Sequence, residues 1–114
     1  MNCSLFKIIK MEVVKLLFIL FLFFYASINL SAGNSTHTYQ FGFTAGFLAE
    51  IAVSGNGYTD QDLYAYDSNG NYITGDESYS DDCYVCLRPA WTGRFIVKVV
   101  SRDPLYNRYV LLTN

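Results

Sequence analysis

From Thr38 to Thr113 apolar side chains return at every second position in short runs, and each run is cut off by glycine, asparagine, serine or proline. A strand places successive side chains on opposite faces, so this period describes half-buried strands, whereas a helix needs a period near 3.6. Tyr39, Phe41 and Phe43 share a face of a run that ends at Thr44-Ala45-Gly46. Phe47, Ala49, Ile51 and Val53 share a face of the next, closed by Ser54-Gly55-Asn56-Gly57. Asp62-Leu63-Tyr64-Ala65-Tyr66-Asp67 then leads through Ser68-Asn69-Gly70 into Asn71-Tyr72-Ile73-Thr74. Asn69-Gly70 tolerates positive φ at both central positions of a type I′ turn and predicts a hairpin there. Cys83, Val85 and Leu87 oppose Tyr84, Cys86 and Arg88 in a further run, and Phe95, Val97 and Val99 oppose Arg94, Ile96 and Lys98 in the one after; Tyr106 to Thr113 is the last. About seven short strands separated by turn signals, with no sustained helical period after residue 33, predict an all-β fold: a small antiparallel β-sandwich, jelly-roll-like.

The stretch before residue 34 follows a different rule. Lys7, Lys10 and Lys15, opposed only by Glu12, run directly into the apolar segment from Leu16 to Ala26. A positive region, an apolar region and then the small residues Ser31, Ala32 and Gly33 form the pattern of an export signal. The pattern predicts a signal peptide over residues 1–33, cleaved after Ala32 or Gly33, with Met11 offering a shorter start of the same form. The rival reading is an uncleaved membrane anchor. Val13 to Leu30 is an 18-residue stretch interrupted by Lys15 and Asn29, whereas a spanning helix takes roughly 20 mostly apolar residues. Residues 34–114 are therefore expected to form one domain that is secreted, periplasmic or at the cell surface, touching a membrane only through an uncleaved signal segment.

In residues 34–114 five basic groups stand against nine acidic ones, a net charge of −4. Nucleic acid, whose phosphates demand a basic face, is not an expected partner. Cys83 and Cys86 form a C-x-x-C pair bound for an oxidising compartment. Zinc takes about four ligands and His37 is the one histidine in the chain. A thioredoxin-type pair opens a helix, while alternation here puts Cys83 and Cys86 on opposite faces of a strand. They read as two half-buried small side chains, and a bridge between them would need a bulge. Catalytic residues are not assigned. His37 falls in the polar leader Asn34-Ser35-Thr36-His37, Ser78 and Ser80 have no basic neighbour, and Asp81 and Asp82 are adjacent and so point to opposite sides. The chain is not expected to be an enzyme.

The string from Gly57 to Asn71 (Gly57-Tyr58-Thr59-Asp60-Gln61-Asp62-Leu63-Tyr64-Ala65-Tyr66-Asp67-Ser68-Asn69-Gly70-Asn71), with Asp81-Asp82-Cys83 and Trp91-Thr92-Gly93-Arg94-Phe95-Ile96-Val97-Lys98-Val99, resembles the bacterial pre-peptidase C-terminal domain. That family's pattern is a T-D-x-D-L-Y-x-Y-D-x-N-G hairpin and a later T-G-x-Y/F-x-I/V-x-V strand, and the similarity covers nearly all of residues 38–114. The resemblance implies a compact β-sandwich of secreted proteins with no catalytic group, here in a free-standing version. Members normally accompany peptidases and other exported enzymes, and relatives in bacterial collagenases bind calcium and, in one branch, collagen.

Seven carboxylates (Asp60, Asp62, Asp67, Asp76, Glu77, Asp81 and Asp82) fall within 23 residues. Loops that bring them to one end of a sandwich would offer the oxygens that Ca²⁺ takes, roughly six to eight of them. The expected calcium ligands are Asp60, Asp62, Asp81 and Asp82, with Asp67 or Asp76 as lesser candidates. Against this stands ordinary turn chemistry, in which Asp and Asn bond their own backbone. Aromatics beside turns are the expected binding surface. Trp91 and Tyr58 are the candidates for contact with a ligand, Tyr79 and Tyr106 are expected to be exposed, and Trp91 has the alternative role of plugging the sandwich end. The functional expectation is a non-catalytic module that binds an extracellular protein or polysaccharide, the alternative being a secretion or folding accessory for an exported enzyme.

Overall fold

The run Phe95-Ile96-Val97-Lys98-Val99-Val100 carries branched and aromatic side chains on both sides of its ribbon, the composition that a pleated, half-buried strand accommodates best. It becomes the longest strand of the fold. The computed structural model describes residues 27–31, 35–55, 60–102 and 107–113. Eight strands are found there: β1 (Ser27–Ser31), β2 (Thr36–Phe43), β3 (Ala49–Ser54), β4 (Gln61–Tyr66), β5 (Tyr72–Asp76), β6 (Asp82–Leu87), β7 (Gly93–Ser101) and β8 (Asn107–Thr113). They form two four-stranded sheets, ordered β1-β8-β3-β6 and β2-β7-β4-β5, with antiparallel pairing throughout. This order is a jelly roll, in which two Greek keys close over one core.

Seven of the strands begin at or after Thr36, matching the expected number, and β1 adds an eighth. It pairs with β8 from Ser27 opposite Leu111 to Ser31 opposite Asn107. The segment in which the sequence places the end of the export signal is thus an edge strand of the first sheet. Residues 1–26 and 32–34 lie outside the described part.

The inward rows are those the alternation marked. Phe43, Ile51, Val53, Leu63, Ala65, Cys83, Val85, Leu87, Phe95, Val97, Val99, Tyr109 and Leu111 make one continuous core between the sheets, with Tyr39 and Phe41 packed against its margin. Enclosing a side chain such as Phe95 or Leu63 is worth about 1.5–3 kcal/mol. Phe47 departs from the expectation. The alternation assigned it to the core row of β3, but that strand starts at Ala49, and Phe47 sits in the preceding turn with its ring 70% exposed. The hairpin also differs in detail. Gly70 N–H bonds to Asp67 C=O at 3.1 Å, which makes Ser68 and Asn69 the central residues of the turn, and Gly70 follows at φ 85°. One positive-φ residue is needed instead of two, as in a type I turn followed by a left-handed glycine.

Cys83 and Cys86 do face opposite ways. The Cys83 thiol lies in the core and donates to the Gln61 carbonyl oxygen at 2.9 Å, whereas Cys86 lies on the outer side of the first sheet with Ala52 and Tyr84. No bridge joins the two. Both are buried, more deeply than the sequence suggested. His37, expected in a polar leader, belongs to β2, where its Nδ1 and the Tyr109 hydroxyl meet at 2.6 Å.

Because every strand reverses the direction of the one before, the connections alternate between the two ends of the sandwich. The β2–β3, β4–β5 and β6–β7 turns gather at one end, and the β3–β4, β5–β6 and β7–β8 connections at the other. Backbone bonds tie each group together. Gly46 N–H reaches Pro89 C=O at 3.0 Å at the first end; at the second, Gly55 N–H reaches Asp81 C=O at 3.0 Å and Arg102 N–H reaches Asp60 C=O at 3.0 Å.

Candidate functional site

The second end collects the acidic residues. Asp60, Asp62, Asp81 and Asp82 are all there, as the expected convergence of loops requires, but they do not share one cage. Asp62 is buried and accepts from Arg102 Nε at 2.6 Å in an ion pair. Tyr64 ties the same group to the β5–β6 connection, because its hydroxyl lies 3.2 Å from Asp62 Oδ2, 2.8 Å from Glu77 Oε1 and 3.1 Å from an Arg102 terminal nitrogen. Burial, reinforced by the Glu77 acceptor, pushes the Tyr64 phenol up to about 12, and Asp62 raises the Arg102 guanidinium above its ordinary value. Asp82 Oδ1 accepts from Ser54 Oγ at 3.1 Å, and the Asp81 side chain leaves no room for a Cβ on Gly55, which would stand 2.7 Å from it.

Among the described residues no three His, Cys, Asp or Glu side chains come together in a group able to hold a metal ion. Gln61 is fully buried, its Nε2 3.5 Å from Ser101 Oγ and its Oε1 without a hydrogen-bond partner among the described residues.

Asp67 and Asp76, the lesser candidates, do turn chemistry. Asp67 Oδ1 accepts from the Asn69 and Asn71 backbone N–H groups, both at 2.9 Å, and Oδ2 from Asn71 Nδ2 at 2.9 Å. The Asn71 backbone bond leads in holding the Asp67 carboxyl below its usual range. Asp76 accepts from Ser78 N–H at 3.1 Å, Ser78 Oγ at 2.7 Å and Tyr84 N–H at 3.0 Å, tying the β5–β6 corner to the start of β6.

The first end is aromatic. Trp91 follows Pro89-Ala90 in the β6–β7 turn and stacks on Phe95 with ring centroids 5.6 Å apart, while 44% of it stays exposed. Part of the Trp91 ring thus packs against the core through Phe95 and part meets solvent. Phe95 in turn packs on Phe43 at 5.7 Å, and Phe43 lines a cavity of about 410 Å³ together with Gly42, Thr44, Phe47, Leu48 and Ala49. The two aromatic-bearing turns are pinned to each other. Besides the Gly46–Pro89 bond, Ala45 N–H donates to Thr92 Oγ1 at 2.9 Å and Arg88 donates to Gly46 C=O at 2.7 Å.

Gly46, at φ 79°, lets the chain turn back into β3 and leaves Phe47 outside. Sequence reasoning missed Phe47 because it obeys the alternation of β3; the signal that could have found it is Gly46 before it, a residue suited to the left-handed region. Tyr58 lies outside the described residues, as does Tyr106. Tyr79 is almost wholly exposed, as expected, but it stands in the β5–β6 corner at the acidic end.

A third set of aromatics lies on the outer face of the second sheet, where Tyr64, Tyr66 and Tyr72 run in sequence at 6.5 and 5.9 Å between centroids, with Lys98 Nζ 5.1 Å from the centre of the Tyr66 ring. Gly75 is required beneath them, because a Cβ there would come within 2.9 Å of the Tyr64 ring and 3.1 Å of the Tyr72 hydroxyl.

The eight strands and their order define the chain as a two-sheet jelly-roll module with distinct acidic and aromatic ends. Among solved structures it is similar to the pre-peptidase C-terminal domain of a collagenase from Bacillus anthracis, with a TM-score of 0.67 and 14% identity over 78% of this chain and 87% of that one. It is also similar to PliG of Aeromonas hydrophila, a periplasmic inhibitor of g-type lysozyme, with a TM-score of 0.53 and 10% identity over 78% of this chain and 84% of the inhibitor. At these identities the shared property is the fold. No family model and no curated protein matches the sequence.

Proposed function

We propose that this chain is an exported, non-catalytic binding module that holds an extracellular protein or polysaccharide at its aromatic end. The observation that carries this reading is the pairing of two exposed aromatics, Phe47 and Trp91, on turns fastened to each other beside a cavity. A rigid aromatic edge gives large contact area at small entropic cost, which is why such residues dominate the energetics of binding surfaces. Export is supported by the positive and apolar pattern of the first 33 residues and by the periplasmic character of the lysozyme inhibitor that shares the fold. The non-catalytic part of the reading is supported by the likeness of the fold to a domain of a collagenase that is named apart from its peptidase, and to an inhibitor.

The test is a binding screen of the wild-type protein on glycan and extracellular-protein arrays, followed by titration of any hit with Phe47→Ala and Trp91→Ala. Phe47 touches little of the core, so its truncation is expected to weaken binding by at least about tenfold, worth ~1.4 kcal/mol, while the melting midpoint stays unchanged. Hits for which both variants bind as tightly as the wild type would remove the aromatic end from consideration. Capture of an exported enzyme without glycan or matrix binding would favour the accessory role.

A further inference from the structure

The long strand β7 turns a regular series of side chains outward. Phe95, Val97 and Val99 enter the core, so Arg94, Ile96 and Lys98 take the opposite face, and Arg102 continues the same parity just past the strand. Three of the five basic residues of positions 34–114 thus fall on one line, spaced four residues or about 13 Å apart. Arg102 is committed to Asp62 and to the Tyr64 hydroxyl. Among the described residues neither Arg94 nor Lys98 is in an ion pair: Arg94 reaches Gln40 Oε1 at 3.5 Å, and Lys98 lies over the Tyr66 ring. The pairing register sets Gln40 of β2, Ile96 of β7, Tyr66 of β4 and Tyr72 of β5 in one row across the sheet. Arg94 and Lys98 flank that row, each two residues or about 7 Å from Ile96 along β7. The row ends on Tyr72, which is 61% exposed and meets Tyr66 with ring planes at 75°. Gly75 gives the Tyr72 ring room to lie along β5, since its hydroxyl stands 3.1 Å from where a Cβ would be.

We propose that this face binds an acidic polysaccharide, laid across the strands between Arg94 and Lys98 with one sugar ring on Tyr72. The face of a tyrosine ring is electron-rich and attracts the positively polarised C–H face of a pyranose, and Tyr72 offers such a ring to solvent. Carboxylates on the neighbouring sugars then accept charge-assisted hydrogen bonds from Arg94 and Lys98. Cations on both sides of the row suit a chain whose carboxylates leave both of its edges. The site is ordered in advance, because the Tyr66 ring touches both the Lys98 ammonium and Tyr72, which reduces the side-chain freedom lost on binding. Charge complementarity decides the occupant. Two cations outside any described ion pair stand on a domain of net charge −4, so an anion is drawn to this face and repelled by the rest. A neutral polysaccharide would leave both cations without a counter-charge. A nucleic acid strand, with a phosphate on every nucleotide, would bring a denser charge than two cations neutralise. The inference names a second surface beyond the aromatic end, and of the reading above it rests on export alone.

The test is titration of the wild-type protein with purified polygalacturonate, alginate and hyaluronate, read by affinity electrophoresis and calorimetry. Fully methyl-esterified polygalacturonate supplies the same backbone without charge, and oligo-dT supplies a nucleic acid strand. The variants are Arg94→Gln, Lys98→Gln and Tyr72→Ala, three independent positions on the open face, so one that fails to fold leaves two. Tyr79→Ala is the control, because that ring is exposed at the acidic end. At least one uronate polymer is expected to bind, and more weakly as salt is raised. Arg94→Gln and Lys98→Gln should each lower the affinity about fivefold and Tyr72→Ala about tenfold, with unchanged melting midpoints, while Tyr79→Ala binds as the wild type does. Binding to none of the three uronates, equal affinity for the methyl ester, or face variants that bind as tightly as the wild type would each overturn the proposal. Oligo-dT held more tightly than every uronate by the same residues would make nucleic acid the occupant and overturn it too. Pure polymers and variants confined to the sheet face keep this outcome separate from that of the Phe47 and Trp91 titrations.

Discussion

Replacing Tyr109 by Phe removes one hydroxyl and nothing else, and that hydroxyl joins the two sheets. Tyr109 stands on β8 of the first sheet; its oxygen meets Tyr39 Oη and His37 Nδ1, both on β2 of the second sheet, at 2.6 Å each. The Tyr109 ring is 1% exposed. The variant keeps the ring, leaves no void and forfeits two hydrogen bonds, each worth about 1 kcal/mol net, with a further cost because Tyr39 and His37 are only partly reachable by water. A loss of about 2 kcal/mol follows. For a domain of this size each kcal/mol moves the melting midpoint by roughly 4–8 °C, so the fall should be on the order of 10 °C. Urea unfolding of the wild type, Tyr109→Phe, Tyr39→Phe and the double variant forms a thermodynamic cycle, and the two single losses should overlap by about 1 kcal/mol because they share one bond. A Tyr109→Phe variant within about 0.3 kcal/mol of the wild type, or strictly additive losses, would refute the claim that this hydroxyl fastens the sheets.

Burial raises the phenol of Tyr39, Tyr64, Tyr84 and Tyr109 alike. Above pH 10 or so an unfolded chain sheds these protons while the folded chain keeps them, so stability should fall as pH rises, for Tyr64 through the window from about 10 to about 12. Ionisation followed at 295 nm should coincide with loss of the far-ultraviolet strand signal, and four tyrosines that titrate freely before unfolding would contradict this. Gly75→Val should displace the Tyr64 ring from Asp62, Glu77 and Arg102 and cost about 1–3 kcal/mol by overpacking, visible as a lowered midpoint and shifted Tyr64 resonances; an unchanged midpoint would show that the ring has room to move. Chelator should leave the melting midpoint where it was, since Asp62 is already paired with Arg102, and a midpoint that climbs with added calcium would show that the acidic end does gather a cation.

Much of the fold could be read from the alternation itself, because a half-buried strand must repeat its apolar residues every second position, as Cys83, Val85 and Leu87 do on β6 and Phe95, Val97 and Val99 on β7. The same rule misplaced Phe47, which keeps the parity of β3 but precedes its first hydrogen bond, and it gave no warning of β1, whose Ser27–Ser31 sequence follows an apolar run that reads as an export signal. The site was legible only as a list of residue types. Crowded carboxylates suggested calcium because the sequence shows Asp62 but not Arg102, forty positions away, closing on it at 2.6 Å. Trp91 was visible as an aromatic beside a turn, but the bonds from Ala45, Gly46 and Arg88 that fix its neighbourhood join segments more than forty residues apart, a separation that no local pattern encodes.

The alternation of connections between opposite ends has an engineering consequence. A segment grafted into the β2–β3 or β6–β7 turn is set apart from the Asp62–Arg102 ion pair by the length of the strands, and doubling a flexible turn adds only about 0.6 kcal/mol of closure entropy. The molecule can therefore serve as a mount with two independently replaceable tips, each altered while the other reports whether the body has kept its shape.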